Sequence, residues 1–348
     1  REAAVEALLK LGFQGESALK QGLKHKDLEV RRWCKKLILK IRSAELQRKI
    51  DYVLSDKKGT RKIDLPGWDR YQKLVGNDLP ARKFFIDMLL LDRTLLASVE
   101  GKPKEISERL AARAQALYET IYPPGGFVGG RRPTLKTSEV GLLLLLSSHP
   151  EVKFPRAQVY RFTSFFYQSS IRNEIRSSKK SPFRRLFVGW LGNVSDELVL
   201  GQLMQQATSW NIPEMGQIAE KIMKNDKVKG RAKAVAFTLL AKTSAKNGKK
   251  YIPLMEKYLT SKENICSFSM GRNLRGTTQV RDVALAMILT LTGQNHSDYN
   301  FTYTRNGNTS KYYQFNASFL GFSSEADRMA ALEKWKAWKA ANPGKVKG

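Results

Sequence analysis

Residues 18–42, ALKQGLKHKDLEVRRWCKKLILKIR, leave the backbone few options. A short apolar-periodic run ends near His25, and a longer one begins behind Asp27, a residue type that caps helix N-termini. From there Val30, Trp33, Cys34, Leu37 and Ile41 fall at offsets 0, 3, 4, 7 and 11, one stripe of a helix. Arg31, Lys35, Lys36, Lys40 and Arg42 occupy much of the remaining surface. A helix pair this short cannot bury its stripe alone. It needs a neighbour stacked on it, which is the logic of a repeat.

The spacing returns later in the chain. Val280, Val283, Ala284, Met287 and Leu291 repeat the offsets 0, 3, 4, 7 and 11, and Arg281 follows Val280 as Arg31 follows Val30. Val228, Ala232, Val235 and Leu239 form a weaker copy, with Lys229 in the cationic place. Unrelated amphipathic helices would share part of this pattern. The recurrence of the Val-cation pair in phase with the stripe favours a repeat.

Asp27, Val30, Arg31 and the stripe behind them resemble the second helix of a HEAT-type repeat. The fuller run REAAVEALLKLGFQGESALKQGLKHKDLEVRRWCKKLILKI is similar to a repeat common in uncharacterised exported proteins of planctomycete bacteria. PGWDRYQKLVGNDLPARKFFIDM (66–88) and GFSSEADRMAALEKWKAW (321–338) resemble the same group. The resemblance implies an α-solenoid fold and an exported or periplasmic location. It implies no activity.

The charge balance bounds the partner. The chain has 348 residues, with 61 Lys+Arg against 32 Asp+Glu, a net charge of +29. Such an excess attracts polyanions such as nucleic acid, anionic lipid or acidic polysaccharide. An apolar fraction of 42% is enough for a core, so a folded chain of one large or two modest domains is expected. Two cysteines, Cys34 and Cys266, exclude a disulfide framework, and Cys34 on the stripe reads as a small buried hydrophobe. The longest apolar run, 140–146, is far short of the ~20 residues that span a bilayer. The chain opens at Arg1 inside an apparent helix and without Met, so an upstream segment is expected.

The expected organisation is all-α: a HEAT-like helical-repeat solenoid with one small β-hairpin and a C-terminal capping helix. Residues 1–55 form an N-terminal repeat, 56–67 a linker loop, 68–293 an irregular helical body, and 294–348 the hairpin and cap. The hairpin is placed at 301–315, where FTYTRNGNTSKYYQF alternates around Asn306-Gly307, a strong turn signal. Residues 260–278 read as a long loop holding Cys266, Arg272 and Arg275. Residues 137–147 are apolar nearly all round and belong in the core. Ser324, with Asp327 as its partner, is expected to cap a last helix over 325–340, pinned by Trp335 and Trp338.

The candidate site lies in 154–190. Arg156, Arg161, Arg172, Arg176, Lys179, Lys180, Arg184 and Arg185 occur there with a single acid, Glu174. Phe154, Tyr160, Phe162, Phe165, Phe166, Tyr167, Phe183, Phe187 and Trp190 are interleaved with them. Two readings are open. Cations on phosphates with ring faces on bases would make a nucleic-acid groove. Alternatively the aromatics are core, since Phe162, Phe165 and Phe166 have helix-core spacing, and the cations are the wet face of the same helices. Arg131 and Arg132, in the glycine-rich stretch 123–133, are added to the candidate polyanion-binding set. That stretch lacks the pattern of a phosphate-binding P-loop and reads as a crossover between helical layers.

Catalytic chemistry is thinly provided for. The histidines are His25, His149 and His296, with no paired zinc spacing and no nucleophile elbow. The expected function is therefore a non-catalytic scaffold or binding module engaging a protein or an acidic polymer. The alternative is a nucleic-acid-binding protein using a basic face. A glycosylase-like helical-repeat enzyme, acting on alkylated bases from a groove, comes third. No cofactor or metal is called for, and the oligomeric state is left open.

Overall fold

The computed structural model describes residues 6–8, 11–125, 133–153, 155–194, 197–210, 212, 214–225, 228, 230–243, 248–270, 274–306 and 310–346. The chain is mostly helical, with a small two-stranded antiparallel sheet. It divides into two compact units, Arg1–Glu100 and Gly101–Gly348.

The first unit holds α1 (Glu16–Gly22), α2 (Leu28–Ser55), α3 (Trp68–Val75), α4 (Leu79–Leu91) and α5 (Arg93–Ala97). Asp27 caps α2, its carboxylate accepting the Glu29 N–H at 2.7 Å. Leu19 of α1 packs with Cys34, Leu37, Ile38 and Ile41 of α2. Gly22 makes the crossing possible, because a Cβ there would lie 2.3 Å from Cys34 Sγ. Trp33 departs from the expected stripe. It is 41% exposed, with the Lys36 ammonium 5.1 Å from its ring centroid. The buried seam runs through Ile38 instead, which turns Trp33 to the edge.

Residues 56–67, expected as a linker, lie inside this unit. The buried Asp56 carboxylate accepts the N–H groups of Lys58, Gly59 and Arg61, with Arg82 Nη1 3.4 Å away. These contacts, the Arg61 N–H foremost, hold Asp56 below the usual carboxylate range. Ile63 and Leu65 are buried behind it. The stretch 66–88 builds an aromatic corner. Trp68 and Tyr71 pack on Phe85 at 5.0 and 5.1 Å, and the Tyr71 hydroxyl donates to the Ala81 carbonyl at 2.8 Å.

The second unit contains α6 (Pro103–Ile121), α7 (Thr137–Ser147), α8 (Arg156–Ser164), α9 (Ser169–Arg176), α10 (Pro182–Leu191), α11 (Glu197–Trp210), α12 (Met215–Lys224), α13 (Gly230–Thr243) and α14 (Ile252–Glu256). Strands β1 (Asn264–Met270) and β2 (Leu274–Gln279) follow, then α15 (Val280–Thr292), α16 (Lys311–Gln314), α17 (Glu325–Ala341) and α18 (Pro343–Val346). Helices that are not neighbours in the chain touch in a row: α6 on α8, α8 on α11, α11 on α13, α13 on α15 and α15 on α17. Helices α7, α13 and α15 are buried nearly all round, as the apolar run of 137–147 requires.

The strands are not where the alternation placed them. Residues 302–306 form a 3₁₀ turn and 311–314 the short α16, while 307–309 lie outside the described residues. A half-buried strand buries every second side chain, yet Phe301, Thr302 and Tyr303 are all buried in succession. Phe301 packs on Phe322 at 4.6 Å, and the Thr302 N–H donates to the Gly321 carbonyl. The sheet lies instead in the segment expected as a loop. There β1 pairs with β2 in the register Cys266↔Thr278 to Met270↔Leu274. Phe322 exchanges two backbone hydrogen bonds with Thr277 on the far side of β2. Gly276 permits this close packing, since a Cβ there would meet Phe268 Cζ at 2.6 Å.

A buried polar network ties α17 to α15. Arg328 Nε donates to Asp282 Oδ1 at 2.7 Å, and Arg328 Nη2 to the Thr277 carbonyl at 3.0 Å. Arg281 donates to Gln279 and Glu325, and Arg328 also reaches Glu325. Ser324 caps α17 by accepting the Asp327 N–H at 3.1 Å. Nearby, buried His296 has Tyr303 Oη 2.7 Å from Nδ1 and Thr290 Oγ1 2.9 Å from Nε2.

These groups set opposite pH dependences. Burial pushes His296 down from 6.5 to about 4. Between those values the unfolded chain holds more protons, so stability falls as pH drops from 6.5 to 4, by up to roughly 3 kcal/mol. Burial pushes Asp282 up from 3.8 to about 6, against the pull of Arg328. Here the folded chain holds more protons, so stability rises by a similar amount, roughly 3 kcal/mol, as pH drops from 6 to 3.8. The two largely cancel in the parent. His296→Gln is expected to gain stability from pH 6.5 to 5 and Asp282→Asn to lose it, read from urea midpoints. Slopes equal to the parent's in both variants would contradict the assignment.

Candidate polyanion-binding surface

Among the described residues, which leave out Phe154, the aromatics of 154–190 are mostly core. Phe162, Phe165, Phe166, Phe183, Phe187 and Trp190 are each 0–1% exposed. Phe162 and Phe166 pack on each other at 5.6 Å, and Phe187 lies 5.3 Å from Phe166. Tyr160 and Tyr167 are the exceptions, 66% and 62% exposed.

With the rings turned in, the cations sort by helix geometry. In α9, Ile171 and Ile175 are buried, which turns Arg172 and Arg176, also four apart, to solvent. Lys179 and Lys180 follow in the exposed turn before α10. Among the described residues, none forms an ion pair with Arg172, Arg176 or Lys180. The single acid, Glu174, accepts a hydrogen bond from Ser181 Oγ at 2.5 Å. Ser181 in turn caps α10, accepting the Arg184 N–H.

Arg184 does not belong with these four. It is 6% exposed, pairs with Glu214 Oε2 at 2.7 Å and donates to the Ser177 carbonyl at 2.7 Å. Burial would raise Glu214, but its own backbone N–H, Arg184 and the nearby Lys179 charge together hold it low. Arg184 thus joins α10 to the start of α12, and its reading as a polymer contact is corrected. Arg185 and Arg161 are half-buried, the Arg161 guanidinium lying 5.7 Å from the Tyr118 ring centroid. Arg131, Arg132 and the side chain of Arg156 lie outside the described residues.

The structure therefore brings Arg172, Arg176, Lys179 and Lys180 onto one exposed stretch and withdraws Arg184 from it. The network of Arg281, Asp282, Glu325 and Arg328 was not legible as a unit, because Arg281 stands 44 positions from Glu325 and Asp282 stands 46 from Arg328. Among the described residues no group of three or more His, Cys, Asp or Glu could hold a metal ion. No helix among them is long and apolar enough to cross a membrane. No family model matches the chain, and neither a curated protein nor a solved structure matches it.

Proposed function

We propose that the chain is a non-catalytic, strongly basic helical scaffold that binds an acidic polymer. The observation that carries this reading is the exposed quartet Arg172, Arg176, Lys179 and Lys180, outward-facing in a chain of net charge +29. Its scaffold is a HEAT-like solenoid closed by α17. Two features support that arrangement: the row of touching helices from α6 to α17, and the use of the Val-cation pairs. Arg31 donates to the carbonyls of His25 and Lys26 in the turn before its helix, and Arg281 donates to Gln279 and Glu325 around its own.

Affinity for a labelled sulfated polysaccharide, followed by anisotropy over a salt series, tests the reading. Four neutralised charges on a polymer of duplex-like charge density give a slope of log K on log salt of about −3.6. Absence of binding at about 50 mM salt, or a flat slope, would overturn it.

The exposed rings of Tyr160 and Tyr167 favour a second reading, single-stranded nucleic acid. Stacking contributes about 1–3 kcal/mol per base, so Tyr160→Ala/Tyr167→Ala would weaken single-strand binding at least tenfold while sparing the sulfated polymer. Equal effects on both ligands would remove the nucleic-acid reading.

A further inference from the structure

A second basic surface of the same unit lies outside 154–190. An open groove of about 890 Å³ between the α14 region and the C-terminal helices is lined by Lys249, Lys250, Lys336 and Lys339 together with Pro253 and Val346. A groove of about 380 Å³ adjoins it, sharing Lys250 and Pro253 and adding Lys224 and Lys257. A third, about 580 Å³, shares Glu220 and Lys224 with the second and adds Lys221. All seven lysines are exposed. Three carboxylates pair with them: Glu220, held by Lys224 and the Tyr251 hydroxyl, Glu256, held by Lys339, and Glu333, held by Lys336.

We infer that this row of grooves binds an extended acidic polysaccharide, a chain of sugars bearing carboxylates or sulfates. The inference rests on the polyanion reading above and names its ligand. Three features select it. The grooves are open and joined end to end, which suits a linear chain, whereas a compact ligand is enclosed by its pocket. Every lining cation among the described residues is a lysine, a point charge on a flexible stem, and none is an arginine with the planar fork that reads guanine bidentately in a duplex. Among the described lining residues no open ring face awaits a base. Tyr251 is 8% exposed, with its hydroxyl on Glu220 and the Lys250 ammonium 4.8 Å from its ring centroid. The carboxylates fit the same ligand. Each retains acceptor sites for the hydroxyls that a sugar chain carries between its charged groups.

The test compares three full-length proteins: the parent, Lys249→Gln/Lys250→Gln/Lys336→Gln/Lys339→Gln, and Arg172→Gln/Arg176→Gln/Lys179→Gln/Lys180→Gln. The probes are a labelled polyuronate, a sulfated dextran and a 20-base-pair DNA duplex. Circular dichroism melting confirms that the variants are folded. The groove variant is expected to lose affinity for polyuronate and sulfated dextran by about thirtyfold, four exposed charge pairs each contributing near the middle of their usual range. The quartet variant loses less for these sugars, and the parent prefers them to the duplex at equal charge. A parent that binds none of the probes overturns the polyanion reading itself. Sugar binding that survives intact in the groove variant overturns the groove alone. A preference for the duplex that the groove variant abolishes overturns the polysaccharide assignment.

Discussion

Arg328→Leu is expected to destabilise the second unit by roughly 3–5 kcal/mol, the cost of stranding a buried charge. Asp282 is 1% exposed and Arg328 3%, so no water can replace the lost guanidinium. The variant also loses the bond to the Thr277 carbonyl in β2 and the pairing with Glu325 on α17 itself. For a unit of this size the melting temperature should fall by about 10 °C. Asp282→Leu/Arg328→Leu should recover half of the loss or more, because the stranded charge is then gone. It will not recover all of it, since Asp282 also accepts the Gln279 N–H that starts α15. Urea unfolding of the three proteins decides the matter. An Arg328→Leu variant within 1 kcal/mol of the parent, on the order of an exposed pair, would show that the network is solvated.

The second large effect is on binding. Arg172→Glu/Arg176→Glu/Lys179→Glu/Lys180→Glu should cut the salt slope for a sulfated polymer or a DNA duplex by about 3.6. The quartet's share of the slope corresponds to a loss on the order of a hundredfold in affinity between about 50 and 200 mM salt, and the variant should keep only the salt dependence that the lysine grooves contribute. Arg184 is left intact, because its pairing with Glu214 supports the fold. The control places four glutamates at Lys102, Lys104, Arg109 and Lys153, all exposed. Three of these lie toward the N-terminal end of α6, whereas its other end, near Tyr122, meets Gln168 just before α9. From Arg109, the nearest of the three, the helix still rises about 18 Å to Ile121, beyond a screening length. Equal losses from both sets would mean that net charge alone attracts the polymer.

What the sequence revealed was local. The Asp27 and Ser324 caps, the all-apolar α7 and the inward spacing of Phe162, Phe165 and Phe166 each depend on a few neighbouring residues, and each is found. The hairpin failed because alternation is only a proxy for burial. Phe301 and Tyr303 were wanted together in an aromatic cluster around His296. NICSFSM carries few bulky residues yet pairs because Gly276 lets Phe268 and Phe322 close on it. The candidate site was legible only in part. Periodicity turned Arg172 and Arg176 outward, but the partner that drew Arg184 inward, Glu214, lies 30 residues on. The lysine grooves combine residues from 221–257 with 336–339, a juxtaposition that no local pattern encodes.

Lysine footprinting on the whole protein reads the central claim at residue level. The chain is acetylated briefly with and without a sulfated polysaccharide, at about 50 mM and about 500 mM salt, and each lysine is quantified by mass spectrometry. Lys179 and Lys180 should be protected by the polymer at low salt and released at high salt, while Lys102 and Lys104 react equally throughout. Modification of Lys179 and Lys180 at an unchanged rate with polymer bound, or equal slowing of all four, would contradict the claim.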